Sequence, residues 1–154
     1  MASGLSFWRG LAPCFLSLLR VLAALLLLEF GTMKIFHFPY SDYFASIPQG
    51  CATAPDAPFL IKVGGDCSVS LLWVAGLLEL VGGIMLAAGL FTRLVAFVLS
   101  GEMAFAYFMV HAPKGFYPAL NDGLAAVLFC FTFLYLSAAG GGSLSLDRLI
   151  RRAP

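Results

Sequence analysis

Glu79 and Glu102 each stand inside a stretch almost free of other charge, residues 68–90 and 92–110. A charged side chain at the centre of a bilayer costs about 2.5–3.5 kcal/mol on insertion scales, so such residues face protein or a polar cavity and usually have partners. On two neighbouring helices the carboxylates would lie at similar depth, as a candidate site for holding or relaying a proton. Lys34, His111 and Asn121 fall at the ends of the apolar segments on the same side, with His37 and Asp122 beside them. An ammonium, an imidazole and a carboxamide there would bind a polar head group or move its protons, as a histidine beside a carboxylate does near neutral pH. The structural alternative is that Arg, Tyr or backbone groups satisfy the glutamates, that Asn121 or Asp122 caps a helix, and that His111 anchors at the interface. Two isolated histidines without zinc-type spacing imply no metal site.

Glu29 poses a separate problem. Arg20, Ala24, Leu27, Gly31 and Lys34 recur at helical spacing and make one face. Glu29 is nine residues past Arg20, about 180° away around a helix, so it belongs with Thr32, Met33 and Phe36. It needs a partner on another helix or another subunit. Cys51 and Cys67 share a polar segment where oxidation is permitted if that segment lies outside the cell membrane. Joining them would close a loop of about 15 residues, worth roughly 3 kcal/mol in the chain-entropy model, and a structural disulfide is expected ahead of a redox-active pair. Cys14 and Cys130 read as small apolar packing residues.

The elements that position these groups follow from apolar run length. The chain has 154 residues, 61% apolar and 11% charged, against about 45–50% and about 25% in an ordinary soluble domain. A spanning helix needs roughly 20 apolar residues. Four segments qualify, at residues 15–36, 68–90, 92–110 and 123–139. They predict an all-α integral membrane four-helix bundle forming one domain over residues 1–154. Residues 1–12 read as an interfacial lead-in with Trp8 and Arg9 at headgroup level, and the first helix as retained rather than a cleaved signal, since no small-x-small site follows it. Pro39 ends that helix. Residues 38–68 form the longest loop, with Pro39, Pro48, Pro55 and Pro58 and with Asp42, Asp56 and Asp66; its length marks it as functional or covalently held. Gly76, Glu79 and Gly83 share a face of the second helix, with Gly82 adjacent, and small residues of this kind allow close helix approach. The tail, residues 143–154, reads as an amphipathic surface helix with Leu146, Leu149 and Ile150 toward lipid and Arg148, Arg151 and Arg152 toward water.

Six arginines (Arg9, Arg20, Arg93, Arg148, Arg151 and Arg152) fall on one side of these helices, and Lys34, Lys62 and Lys114 on the other. The basic excess places both termini in the cytoplasm and the two longer loops outside, as expected for a multi-pass protein of a bacterial inner membrane. No basic run suits nucleic acid, and the net charge of +1 says little about partners.

Three segments resemble the DoxX family of small membrane proteins: residues 76–93 (GLLELVGGIMLAAGLFTR), 103–121 (MAFAYFMVHAPKGFYPALN) and 133–147 (FLYLSAAGGGSLSLD). With Gly31-Thr32-Met33-Lys34 the resemblance covers most of the chain. It implies a four-helix inner-membrane protein with a redox association, since relatives include the membrane subunit of a quinone-reducing thiosulfate oxidoreductase. The chain departs from the family pattern in three places. Leu124 follows Gly123 where an acidic residue is often found, Glu29 stands where a small or apolar residue is expected, and the long loop with two cysteines is an elaboration.

The leading expectation is a redox-linked membrane subunit contacting quinone, with Lys34, Glu79, Glu102, His111 and Asn121 as its polar site. Phe105, Tyr107 and Phe108 supply either ring contacts or ordinary packing. No flavin, haem or iron–sulfur motif is present, so no cofactor beyond quinone is expected; the electron carrier would belong to a partner redox subunit, with a homo-oligomer as the other mode of association. The sequence assigns no catalytic residue. The alternatives are a small proton-coupled transporter, which with four helices and no inverted repeat would have to oligomerise, and a non-catalytic assembly or scaffold subunit.

Overall fold

A computed structural model describes residues 2–52, 60–64 and 67–152, with side chains described at residues 7–8, 10–51, 60–62 and 68–150. Pro55, Asp56, Pro58, Asp66 and the side chains of Arg9, Cys67, Arg151 and Arg152 lie outside the described residues.

The elements run α1 (Ala2–Phe36), α2 (Asp42–Ala45), β1 (Cys51–Ala52), β2 (Leu60–Gly64), β3 (Cys67–Ser70), α3 (Leu71–Ala88), α4 (Thr92–Ala106), α5 (Leu124–Ala139) and α6 (Leu146–Arg152). Among the described residues, three stretches are long and apolar enough to cross a membrane: Gly10–Phe36, Leu71–Ala88 and Thr92–Lys114. The chain is an all-α membrane protein built on these and on α5, which is apolar but has 16 residues. At 1.5 Å per residue, α5 is about 24 Å long, short of a core about 30 Å thick.

Several boundaries differ from the sequence-based expectation. α1 begins at Ala2 and runs through Pro13. A proline removes one hydrogen bond from the ladder, and here the turns on either side of it stay helical. The segment expected as a loop carries α2 and a three-stranded antiparallel sheet of order β1-β3-β2. Central β3 pairs Val69 with both Cys51 and Ile61. Its residues Cys67–Ser70 precede α3, so that helix starts at Leu71 instead of residue 68. α4 gives way at Tyr107 to a π-helical turn, Tyr107–His111, and a 3-10 turn, Ala112–Lys114. Pro113, at the second position of that last turn, cannot donate to continue an α ladder.

The chain divides into two compact units, residues 1–24 with 84–154 and residues 25–83. In the first, α4 packs along α5, with Leu86, Ala96, Leu99, Met103, Phe133 and Leu136 buried. The Ser100 hydroxyl donates to the Cys130 carbonyl at 2.9 Å. In the second, Leu27 and Ile47 are buried together with the polar Lys34, Ser70 and Glu79. The exposed face of α1 is a leucine-rich stripe through Phe15, Leu18, Leu22, Leu25 and Leu26, a surface suited to lipid.

Candidate functional site

In the unit of residues 25–83 the site begins with glycine. A Cβ at Gly31 would sit 2.8 Å from the Leu80 backbone nitrogen, and one at Gly76 would sit 2.7 Å from Lys34 Cβ. Only hydrogen side chains at these two positions let α1 and α3 come so close. The approach carries Lys34 Nζ to 2.5 Å from Glu79 Oε1. Both partners are buried, Glu79 to 2% exposure and Lys34 to 8%. Glu79 Oε2 is also buried and has no hydrogen-bond partner among the described residues. The pair is thus half satisfied: an ammonium holds one carboxylate oxygen, and the second oxygen is free to accept a hydrogen bond or a proton.

The chain beyond α1 folds back over this pair. Gln49 Nε2 donates to the Lys34 carbonyl at 3.0 Å and lies 2.9 Å from His37 Nε2. The Phe44 ring centroid is 5.6 Å from Lys34 Nζ, within cation–π range. Sequence reading missed Gln49 and Phe44, because a glutamine and a phenylalanine in a proline-rich connection carry no periodicity that would single them out.

In the other unit, His111 and Asn121 come together. His111 Nδ1 lies 3.0 Å from the Asn121 carbonyl oxygen. Asn121 is buried; its Nδ2 donates to the Gly115 carbonyl at 2.5 Å and its Oδ1 accepts from Gly123 N–H at 2.8 Å. The side chain thereby shapes the turn that leads into α5, whose first residue has no side-chain cap. A Cβ on Gly123 would meet Asn121 Oδ1 at 2.7 Å, so the residues 121–123 work as one closed turn. Buried Tyr107 donates its hydroxyl to the Phe116 carbonyl, while Phe105 and Phe108 point outward at 52% and 67% exposure. Glu102, on α4, is half-buried with both carboxylate oxygens shielded from solvent. Of the five predicted site residues, Lys34 and Glu79 therefore form one group in one unit, His111 and Asn121 a second group in the other, and Glu102 lies on α4 of that other unit.

The same unit contains a network of capped helix ends that sequence reading did not assign. Buried Arg20 donates to the carbonyls of Leu86, Ala87, Gly141 and Leu144, the first two in the last turn of α3. Asp147, from the tail, accepts Phe91 N–H at 2.7 Å and Thr92 N–H at 2.8 Å at the start of α4. Arg93 donates to the Ala138 carbonyl at 2.8 Å at the end of α5. Gly89, with a φ of +72, lies where a Cβ would meet Arg20 Nη1 and Ser145 Cβ at 2.7 Å. The only sequence signal was that Arg93 and Asp147 end two of the family-like segments.

Glu29 is exposed, on the same side of α1 as Leu22, Leu25 and Leu26, and forms no ion pair among the described residues. Cys51 lies on β1 and Cys67 on the neighbouring β3. Cys14 and Cys130 are free thiols, and Cys51 is not among them. No group of three His, Cys, Asp or Glu side chains suited to a metal occurs among the described residues.

The family model of DoxX matches residues 15–112. A protein of Haemophilus influenzae described as uncharacterized is 40% identical over 140 residues, covering 88% of this chain and 90% of the relative. A second uncharacterized protein of the same organism is 32% identical over 74 residues, 48% of this chain and 49% of its own length. No solved structure matches.

Proposed function

We propose that this chain, which belongs to the DoxX family and is a multi-pass membrane protein, is a quinone-linked membrane component of a redox system. The supporting observation is the buried Lys34–Glu79 pair with its unpartnered Oε2. A quinone head group needs a hydrogen-bond and proton donor at a carbonyl oxygen when it is reduced, and a proton acceptor when the quinol is oxidised. The Lys34 ammonium and the Glu79 carboxylate supply both functions at one place, a few residues from the end of α1. Electrons would come from a partner subunit, in keeping with a sequence that carries no flavin, haem or iron–sulfur motif. Exposed Glu29, on a face otherwise suited to lipid, is the contact we assign to that partner or to a second copy. The basic bias supports a bacterial inner-membrane location with both termini cytoplasmic, and the pairing of β1 with β3 supports a structural disulfide between Cys51 and Cys67.

Purification in mild detergent, followed by solvent extraction and chromatography of bound quinone, tests the reading. Wild type should carry quinone in a fixed molar ratio, and Lys34→Met/Glu79→Gln, which removes both charges and stays folded, should lose at least about four-fifths of it. No quinone in wild type, or equal quinone in the variant, contradicts the proposal. The second reading, a scaffold in which the pair only fixes helix packing, is favoured by the glycine contacts at Gly31 and Gly76. It predicts that Glu79→Gln alters stability alone.

A further inference from the structure

A groove of about 650 Å³ opens beside the turn between α5 and α6, in the unit of residues 1–24 and 84–154. It falls in the range of about 300–1,000 Å³ usual for small-molecule sites. One wall is apolar, from Ala12, Pro13 and Leu16 of α1; the other carries Arg93, Tyr135 and Arg148. We propose that this groove is a binding site for the phosphate head group of an anionic phospholipid.

The charge balance favours an anion. Asp147 also lines the groove, but both its carboxylate oxygens already accept backbone N–H groups at the start of α4. Arg93 uses Nη1 on the Ala138 and Ser137 carbonyls, leaving Nε and Nη2 without an acceptor among the described residues. Among the described residues, the Arg148 guanidinium makes only a 3.5 Å contact, from Nη1 to the Ser143 carbonyl. Two planar guanidinium groups with spare donors suit phosphate oxygens, which they bind bidentately. Gly140, Gly141 and Gly142 also line the groove, adding backbone to its wall.

The surroundings select a lipid over free phosphate. The apolar α1 wall continues one turn further along the same face to exposed Leu19, a start for an acyl chain. Tyr135, 56% exposed, offers a ring and a hydroxyl of the kind found at headgroup level. α6 extends from the groove with Leu149 and Ile150 exposed, as an interfacial helix has them. Basic pockets between membrane helices take anionic head groups in this way. The inference stands independently of the Lys34–Glu79 reading.

Native mass spectrometry of the delipidated full chain in neutral detergent, titrated with phosphatidylglycerol or phosphatidylcholine, tests it. The expected result is one phosphatidylglycerol retained at least tenfold more strongly than phosphatidylcholine. Arg148→Gln should weaken retention at least fivefold, and Ala12→Trp, which fills the groove and leaves every charge in place, should do the same. Thermal melting of each variant without lipid controls for folding. Equal retention of the two lipids, retention unchanged in both folded variants, or displacement by millimolar inorganic phosphate would overturn the proposal.

Discussion

Lys34 and Glu79 are opposite charges held 2.5 Å apart where almost no water reaches. Removing one partner from a buried pair costs about 3–5 kcal/mol, because the other charge remains without compensation, whereas replacing both with neutral groups is often neutral or stabilising. Lys34→Met should therefore destabilise by about 3 kcal/mol or more, and Lys34→Met/Glu79→Gln should recover most of that loss. Chemical unfolding in detergent micelles of the wild type, both single variants and the double variant measures the coupling directly. Additive losses would show that the two charges act independently. The importance of both residues was legible from their types and from the cost of charge in a bilayer. Their pairing was not, because it depends on how closely α1 and α3 approach, and because Glu79 had an equally plausible partner in Glu102 on hydropathy alone. Arg20 likewise read as one member of a helical stripe, while its four carbonyl acceptors come from segments far along the chain.

At the scale of elements, two glycines set the α1–α3 approach, and one acidic residue of the tail sets the start of α4. Gly31→Ala puts a methyl group 2.8 Å from backbone, and overpacking of this kind costs about 1–3 kcal/mol. Gly101→Ala is the matched control, since nothing lies within 4 Å of its added Cβ; it should be neutral or stabilising by about 0.5–1 kcal/mol. The melting temperature should fall for Gly31→Ala and stay level or rise for Gly101→Ala. Asp147→Ala removes both acceptors at the α4 start, a loss of about 0.5–2 kcal/mol. Hydrogen exchange should then accelerate first at the amides of Phe91 and Thr92; unchanged exchange there would deny Asp147 its capping role. Helix existence was plain from apolar run length. The early start of α1 was not, because Pro13 looks like a boundary. The small sheet was missed because its strands are two to five residues long and lie among prolines, which read as loop.

For the whole molecule, membrane residence was the most legible property, since 61% apolar residues leave too few polar side chains to cover a soluble surface. The proposal of a partner or second copy rests on one anomaly: Glu29 shares the exposed face of α1 with leucines. Glu29→Leu should leave the melting temperature of the isolated chain within about 2 °C while removing a co-purifying subunit or a homo-oligomeric band on native gels; an unchanged assembly would remove that face from consideration. A reporter fused after Pro154 should be active on the cytoplasmic side. The most direct measurement of the central claim is photo-crosslinking of an azido-quinone to the protein in nanodiscs, with the labelled peptide identified by mass spectrometry. Label is expected on peptides containing Lys34 or Glu79 and is lost in folded Lys34→Met/Glu79→Gln. Label distributed over the lipid-facing leucines of α1, or unchanged in the double variant, would contradict it.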